Sequence, residues 1–398
     1  MNTTPVKFVA SINDVSLPET SEPDLEFRYL DISSVGTGRV LAEPQVVSFA
    51  EAPSRARRVV RKGDTIVSTV RTYLRSVWTA REDSLDLVAS TGFAVLTPRS
   101  GVDPRYFGWF AQSSTFIDEV VARSVGVSYP AIAPAELGRI GILLPTLGSQ
   151  TAIADYLDAE TARIDALIEK KQRMKELIAE RTSSLASSLI WSGSPWRSVR
   201  LRFLTGRPTS GNRDHSNFTF EAGGVTCLRG VNVRPNKLAL DDAMTISTED
   251  HRLHDETSLE EGDVVIVRSG FAGAAAAIPA GLGPCNCVDL VVVRRSASLV
   301  PDYLQYVINS ARTQEVVRVR QAGAILSHFN AVDAGDIEVP VRPLEEQKSI
   351  ALTTKRMLAA ADRISDALDQ QVDLLRESRQ ALITAAVTGQ LEIPGVAA

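Results

Sequence analysis

Apolar residues recur at helical spacing in two long stretches of the chain. From Leu147 to about Leu189 they are Ile153, Leu157, Ile164, Leu167, Met174, Ile178, Leu185 and Leu189. From Leu344 to about Val387 they are Ile350, Met357, Ala361, Ile364, Leu368, Val372, Leu375 and Leu382. Steps of three and four make a narrow stripe, closer to the seam of a coiled coil than to the wide face of a globular helix. Charges of mixed sign flank it, as in Glu169-Lys170-Lys171 and Lys355-Arg356. A shift of 197 residues lays Gln150 on Gln347, Ile153 on Ile350, Asp165 on Asp362, Ile178 on Leu375 and Leu185 on Leu382. This is an internal repeat. A helix of about 43 residues would be roughly 65 Å long. Two such helices in one chain can cover each other's stripes by lying antiparallel, as a coiled coil with an internal pseudo-twofold axis.

The segments between the helices repeat as well. Before the first helix, short strand-like runs (Phe27–Ile32, Thr65–Val70, Leu87–Val88, Phe93–Leu96) alternate with turn signals such as Gly36-Thr37-Gly38 and Gly63-Asp64. Pro104-Arg105-Tyr106-Phe107 opens a helix, and a loop through Gly126-Val127-Ser128-Tyr129-Pro130 precedes a final short strand at Ile140–Leu144. After the Gly, Pro and Ser-rich linker at Trp191–Trp196 the skeleton returns. Lys62-Gly63-Asp64 recurs as Glu261-Gly262-Asp263, Pro104-Arg105-Tyr106 as Pro301-Asp302-Tyr303, and the Gly126 loop as Gly323–Phe329. The expected class is α+β: two α/β domains, at 1–145 and 192–342, alternating with long helices at 146–191 and 343–390, and a tail at 391–398. A duplicated scaffold with diverged loops suggests two copies doing one kind of job on different targets.

Composition changes this picture little. The chain has 398 residues, ordinary apolar content and a net charge of −5. No apolar run has transmembrane length and the N-terminus lacks a signal-like pattern, so a cytoplasmic protein without a membrane partner is expected. Cys227, Cys285 and Cys287 lack C-x-x-C spacing and read as reduced structural thiols. The whole-chain charge does not favour a nucleic-acid partner, but its local distribution does. Between residues 55 and 75 stand seven basic residues and one acid, Asp64. Arg57, Arg58, Lys62, Arg71 and Arg75, with Tyr73 among them, suit phosphates and base edges. Arg can give guanine a bidentate pair that Lys matches poorly. The simpler alternative is a solvated strand edge. Ser128 and Tyr129 are weaker candidates for the same role. In the second half Arg229, Arg234, Lys237 and Arg268 are sparser counterparts, with Ser327 and His328 in the repeated loop.

Signals for catalysis are poor. The chain has no phosphate-binding G-x-x-x-x-G-K-[ST], no dinucleotide-type G-x-G-x-x-G after a strand, no G-x-S-x-G and no Asn/Asp-Pro-Pro-Tyr/Phe motif for holding a target amine. His251-x-x-His254 beside acids reads as a surface loop before it reads as a metal site. Glu346-Gln347-Lys348 imitates half of a nuclease site, yet its repeat partner Ser149-Gln150-Thr151 is uncharged.

The pattern resembles the specificity (S) subunits of bacterial type I restriction–modification systems. The resemblance rests on Leu144-Pro145-Thr146-Leu147-Gly148-Ser149-Gln150-Thr151-Ala152-Ile153, its second copy Val339-Pro340-Val341-Arg342-Pro343-Leu344-Glu345-Glu346-Gln347-Lys348-Ser349-Ile350, the Lys/Glu-Gly-Asp motif and the helix end Ala386-Val387-Thr388-Gly389-Gln390-Leu391. Gly148-Ser149 stands where acids are common. The resemblance implies two target recognition domains, each reading one half of a split double-stranded DNA target. It implies helices that act as a ruler and dock two modification (M) subunits, which hold S-adenosylmethionine and methylate adenine. Restriction (R) motor-nuclease subunits would join for cleavage. This chain would be non-catalytic and without a cofactor of its own. Docking is expected near Gln150, Ile153, Gln347 and Ile350. The alternative is a coiled-coil adaptor of another multisubunit phage-defence or restriction complex.

Overall fold

The computed structural model describes residues 3–82, 86–193, 197–212, 218–322 and 328–396, except the side chains of 320–322. The chain forms two compact units, one of residues 1–172 and 369–398, the other of residues 173–368. Each long helix therefore gives one half to each unit.

In the first unit, eight strands make two four-stranded sheets. They are β1 (Ala10–Ile12), β2 (Glu26–Leu30), β3 (Gln45–Ser48), β4 (Ala56–Val59), β5 (Thr65–Ser68), β6 (Val77–Thr79), β7 (Leu87–Ser90) and β8 (Phe93–Pro98). One sheet has the order β1-β8-β5-β6 and the other β3-β2-β7-β4, with β2 and β7 parallel. β5 and β7 are buried throughout, as their unbroken apolar and small residues require. Helix α1 (Pro104–Gln112) follows, capped by Asp103, whose carboxylate accepts the N–H groups of Arg105 and Tyr106.

The second unit repeats this plan. Its strands are β9 (Thr209–Ser210), β10 (Phe220–Leu228), β11 (Met244–Ile246), β12 (Ser258–Leu259), β13 (Val264–Val267), β14 (Ala275–Ala277), β15 (Cys285–Cys287) and β16 (Leu290–Val293). The orders β9-β16-β13-β14 and β11-β10-β15-β12, with β10 and β15 parallel, match the first unit strand for strand. The repeated Gly-Asp motif has a clear physical cause. Asp64 is buried and accepts the Arg61 N–H at 2.7 Å and the Thr97 hydroxyl at 2.6 Å. Asp263, also buried, accepts the N–H groups of Glu260 and Arg295 and the Arg294 guanidinium. Each aspartate ties the turn before a central strand to the end of the neighbouring strand.

The long helices span Leu147–Trp191 (α2) and Leu344–Val387 (α4); between them lies α3 (Pro301–Asn309), the counterpart of α1. The helices pair antiparallel. In the first unit Lys171 donates to Gln371 and Arg379 pairs with Asp165 at 3.0 Å. In the second, Ile190 at the end of α2 shares a core with Ile350 and Ala351 at the start of α4. The observed seam differs in phase from the stripe read in the sequence. It runs through Ile153, Leu157, Thr161, Ile164, Ile168, Lys171, Lys175, Ile178, Thr182, Ala186 and Ile190, whereas Leu167, Met174 and Leu185 are exposed. In α4, Ser365 takes the seam position and Ile364 is exposed. The head cores are continuous with the seam: Tyr106, Phe110 and Phe116 pack with Ile153, Leu157, Ile383 and Val387. The tail joins that same core through Ile393.

Gln150 and Gln347 fix the helix starts. The Gln150 carbonyl accepts the Asp103 N–H at 2.9 Å, and its amide donates to the carbonyls of Pro145 and Gly101. Gln347 does the same with Val300, Arg342 and Ser298. Both are buried, as are Ile153 and Ile350. These four residues hold each helix start to its own head, the glutamines by hydrogen bonds and the isoleucines by packing in the head cores.

Candidate nucleic-acid interface

The basic and aromatic residues of the first unit converge beyond the end of β5. Val70 bridges to Ala131, and the Arg71 N–H donates to the Pro130 carbonyl at 2.8 Å. This brings loop 70–75 against loop 124–131. The Arg71 guanidinium lies 4.9 Å above the Tyr129 ring. Thr72 and Ser124 share a hydrogen bond at 2.7 Å, and Arg75 pairs with Asp118 at 3.0 Å. Arg71 and Arg75 both adopt left-handed backbone, with φ of 50° and 55°. Such conformations cost non-glycine residues roughly 1–3 kcal/mol each and concentrate at functional sites. They aim both side chains outward from a loop anchored at each end. Tyr73, Ser128 and Tyr129 are exposed beside them.

The rest of the basic cluster is placed otherwise. Arg57 lies against the Phe49 ring at 4.8 Å and donates to the Ala56 carbonyl; Arg58 donates to Ser16. Both belong to β4, an edge strand of the second sheet. Lys62 is in the turn before β5, so the length of that strand separates it from Arg71.

In the second unit the equivalent strand end carries Arg268. Phe329 N–H donates to the Arg268 carbonyl as Ile132 N–H donates to Thr69, which equates the two loop junctions. Arg268 is mostly buried and bound to Asp289 at 2.7 Å. Ser269 hydrogen-bonds both Asp289 and His328. Phe271 is exposed, with the Arg234 guanidinium 5.6 Å from its ring. Arg234 and Lys237 flank the turn of a two-strand hairpin, and that turn uses left-handed Asn236. Arg229 starts the short helical turn at Gly230–Asn232, its N–H held by Asn232. Ser327 lies outside the described residues. Sequence reading missed Ser269, Phe271 and Asp289 here, and Val125 and Val127 in the first unit. Gly270-Phe271-Ala272-Gly273 reads as a plain turn, and a lone valine in a loop carries no periodic signal.

The other motifs have structural roles. His251 faces the Asn286 amide, which also donates to the His254 carbonyl and Thr257. The His254 ring sits edge-on to Phe218. Glu346 pairs with buried Arg342, and Lys348 with Glu345. Burial pushes the Cys227 and Cys285 thiols up to about 11 and about 12, which keeps them protonated and inert. Among the described residues no group of three His, Cys, Asp or Glu side chains could hold a metal, and no helix is long and apolar enough to cross a membrane.

Each unit thus carries one α/β head, an antiparallel stretch of the two long helices and a loop cluster beyond the same strand end. The comparisons find the same resemblance as the sequence motifs. The chain is 23% identical over 314 residues to the type I restriction enzyme StySPI specificity subunit of Salmonella potsdam, covering 74% of this chain and 67% of that one. Its fold matches the HsdS subunit from Thermoanaerobacter tengcongensis with a TM-score of 0.54 at 22% identity, over 98% and 97% of the two chains. It matches a chain solved in work on complex assembly and conformational transition of the type I R-M system with a TM-score of 0.75 at 22% identity, over 98% of this chain and all of the other. No family model matches the chain.

Proposed function

We propose that the chain is the non-catalytic, DNA-binding specificity subunit of a type I restriction–modification complex, each head reading one half of a bipartite duplex target. The observation that carries this is an exposed aromatic residue with an arginine against its ring in each head, Arg71 on Tyr129 and Arg234 on Phe271, in a chain whose relatives are specificity subunits. Phosphate contacts position such a protein, and base-edge contacts from loops give its specificity.

The same reading has two modification subunits, carrying S-adenosylmethionine, dock on the helices, with restriction subunits joining them. Exposed apolar residues support a duplicated docking surface. Leu167 and Ile364 are equivalent under the repeat, as are Leu177 and Leu374, and all four are 47–62% exposed. The antiparallel register sets Leu167 about level with Leu374 in the first unit and Leu177 about level with Ile364 in the second. Genome-wide mapping of methylated adenines in a host with and without this gene tests the function. A bipartite motif that disappears with the gene is expected; an unchanged methylation pattern refutes the reading. Binding of the assembled complex to its target should also weaken steeply with salt, which a protein-binding adaptor would not show.

A further inference from the structure

The tip of the 124–131 loop carries an apolar feature that the arginines beside it do not explain. Val127 is fully exposed and Val125 is 81% exposed. The loop is pinned beneath them. Val125 and Ala131 exchange hydrogen bonds at 2.9 and 3.0 Å, and Ala131 bridges to Val70. Gly126 turns the chain at a φ of 121°, where a Cβ would meet the Tyr129 carbonyl at 3.0 Å. A β-branched side chain on such a base has little rotamer freedom left to lose on burial. Alongside stands Arg71, stacked on Tyr129 of the same loop and bonded through its N–H to the Pro130 carbonyl. An apolar contact beside a guanidinium group suits a polyanion that also presents an apolar group. In the major groove of duplex DNA that group is the C5-methyl of thymine, since the other base-edge features there are donors and acceptors.

Resting on the DNA-binding reading above, we propose that the Val125–Val127 tip reads the 5-methyl group of a thymine in the half-site bound by the first head. Arg71 would hold the neighbouring position. Specificity at that base would come from side chains that carry no hydrogen-bonding group.

The test uses the full chain assembled with its modification subunits and duplexes carrying the mapped target. Each thymine of the first half-site is replaced singly by deoxyuridine, which removes only the methyl. Binding about fourfold weaker at one position is expected, the effect of one buried methyl at ~0.8 kcal/mol. Val127→Ser, at a fully exposed position, should bind the thymine and deoxyuridine duplexes alike. A first half-site without thymine on either strand would overturn the proposal. So would equal affinity for every deoxyuridine duplex, or a Val127→Ser complex that still discriminates. Weakening by Val127→Ser that is uniform across unrelated sequences would show an apolar wedge or backbone contact instead. If the wild-type complex binds no duplex specifically, the DNA-binding reading fails as well, which separates that failure from the others.

Discussion

Arg71 differs from the other basic residues of its cluster in what holds it. Its backbone is fixed by Pro130, its guanidinium is stacked on Tyr129, and it makes no carboxylate pair among the described residues. Arg75, Arg58 and Arg57 are already engaged by Asp118, Ser16 and Phe49. Arg71→Ala should therefore relax one base of the first half-site by about 5- to 150-fold, matching the ~1–3 kcal/mol of a bidentate contact. The second half-site should be unaffected. Competition binding with single-base variants checks this, and an equal loss on every sequence would reduce Arg71 to a phosphate contact. Asp103 yields a prediction of another kind. Burial pushes its pKa up, but the N–H of Arg105, the Thr151 hydroxyl and the N–H of Tyr106 outweigh that and hold it below the ordinary 3.8. A depressed folded pKa contributes stability that is present above the ordinary value and lost as pH falls through the folded one. Asp103→Asn should thus be less stable than wild type near neutrality, with the gap closing below about pH 4. Urea unfolding from pH 7 to 3 measures it; a gap independent of pH would contradict the assignment.

Much of the element scale was readable from sequence, and the misreadings share one cause. Helix limits, the strands around Phe27, Thr65, Leu87 and Phe93, and the helix opening at Pro104 follow from local periodicity and capping, which act within a few residues. The seam did not follow, because Thr161, Lys171, Lys175, Thr182 and Ser365 occupy it. A stripe counted by apolar type alone slides toward Leu167, Met174 and Leu185, which face outward. Gln150 was recognisable as a repeated position, yet nothing local shows that its amide closes on Asp103, forty-seven residues earlier. Lys62 belongs with Arg71 by composition and is parted from it by a strand. Since the outward apolar residues do not serve the seam, they are the ones to test for docking. Leu177→Glu should lose one modification subunit and Leu374→Glu the other, with the fold intact because both side chains are largely exposed. Native mass spectrometry of the assembled complexes gives the stoichiometry. Two subunits retained by each variant would remove these residues from the docking surface.

At the scale of the whole molecule, the proposed reading of a split target assigns the distance between half-sites to the helix pair that the repeat duplicates. Four residues add one turn and roughly 6 Å of helix. Placed after Lys171 alone, they shift α2 against α4 beyond the Lys171–Gln371 contact and strain the pairing on one side. The repeat offset identifies the matching place in α4 as Leu368, so a second insertion there lengthens both strands of the pair together. Each head keeps its own glutamine lock, Gln150 to Asp103 and Gln347 to Val300, because neither insertion lies near a helix start. The single insertion should widen the gap in the methylated motif at some loss of stability. The double insertion should widen it with stability closer to wild type. In both, the bases read at each half-site should stay the same, since loops 70–75 and 124–131 and the Arg268 cluster are held within their own heads. Sequencing the methylated motif of each variant decides the matter. Altered half-site bases with an unchanged gap would mean that the heads, and not the helices, set the spacing.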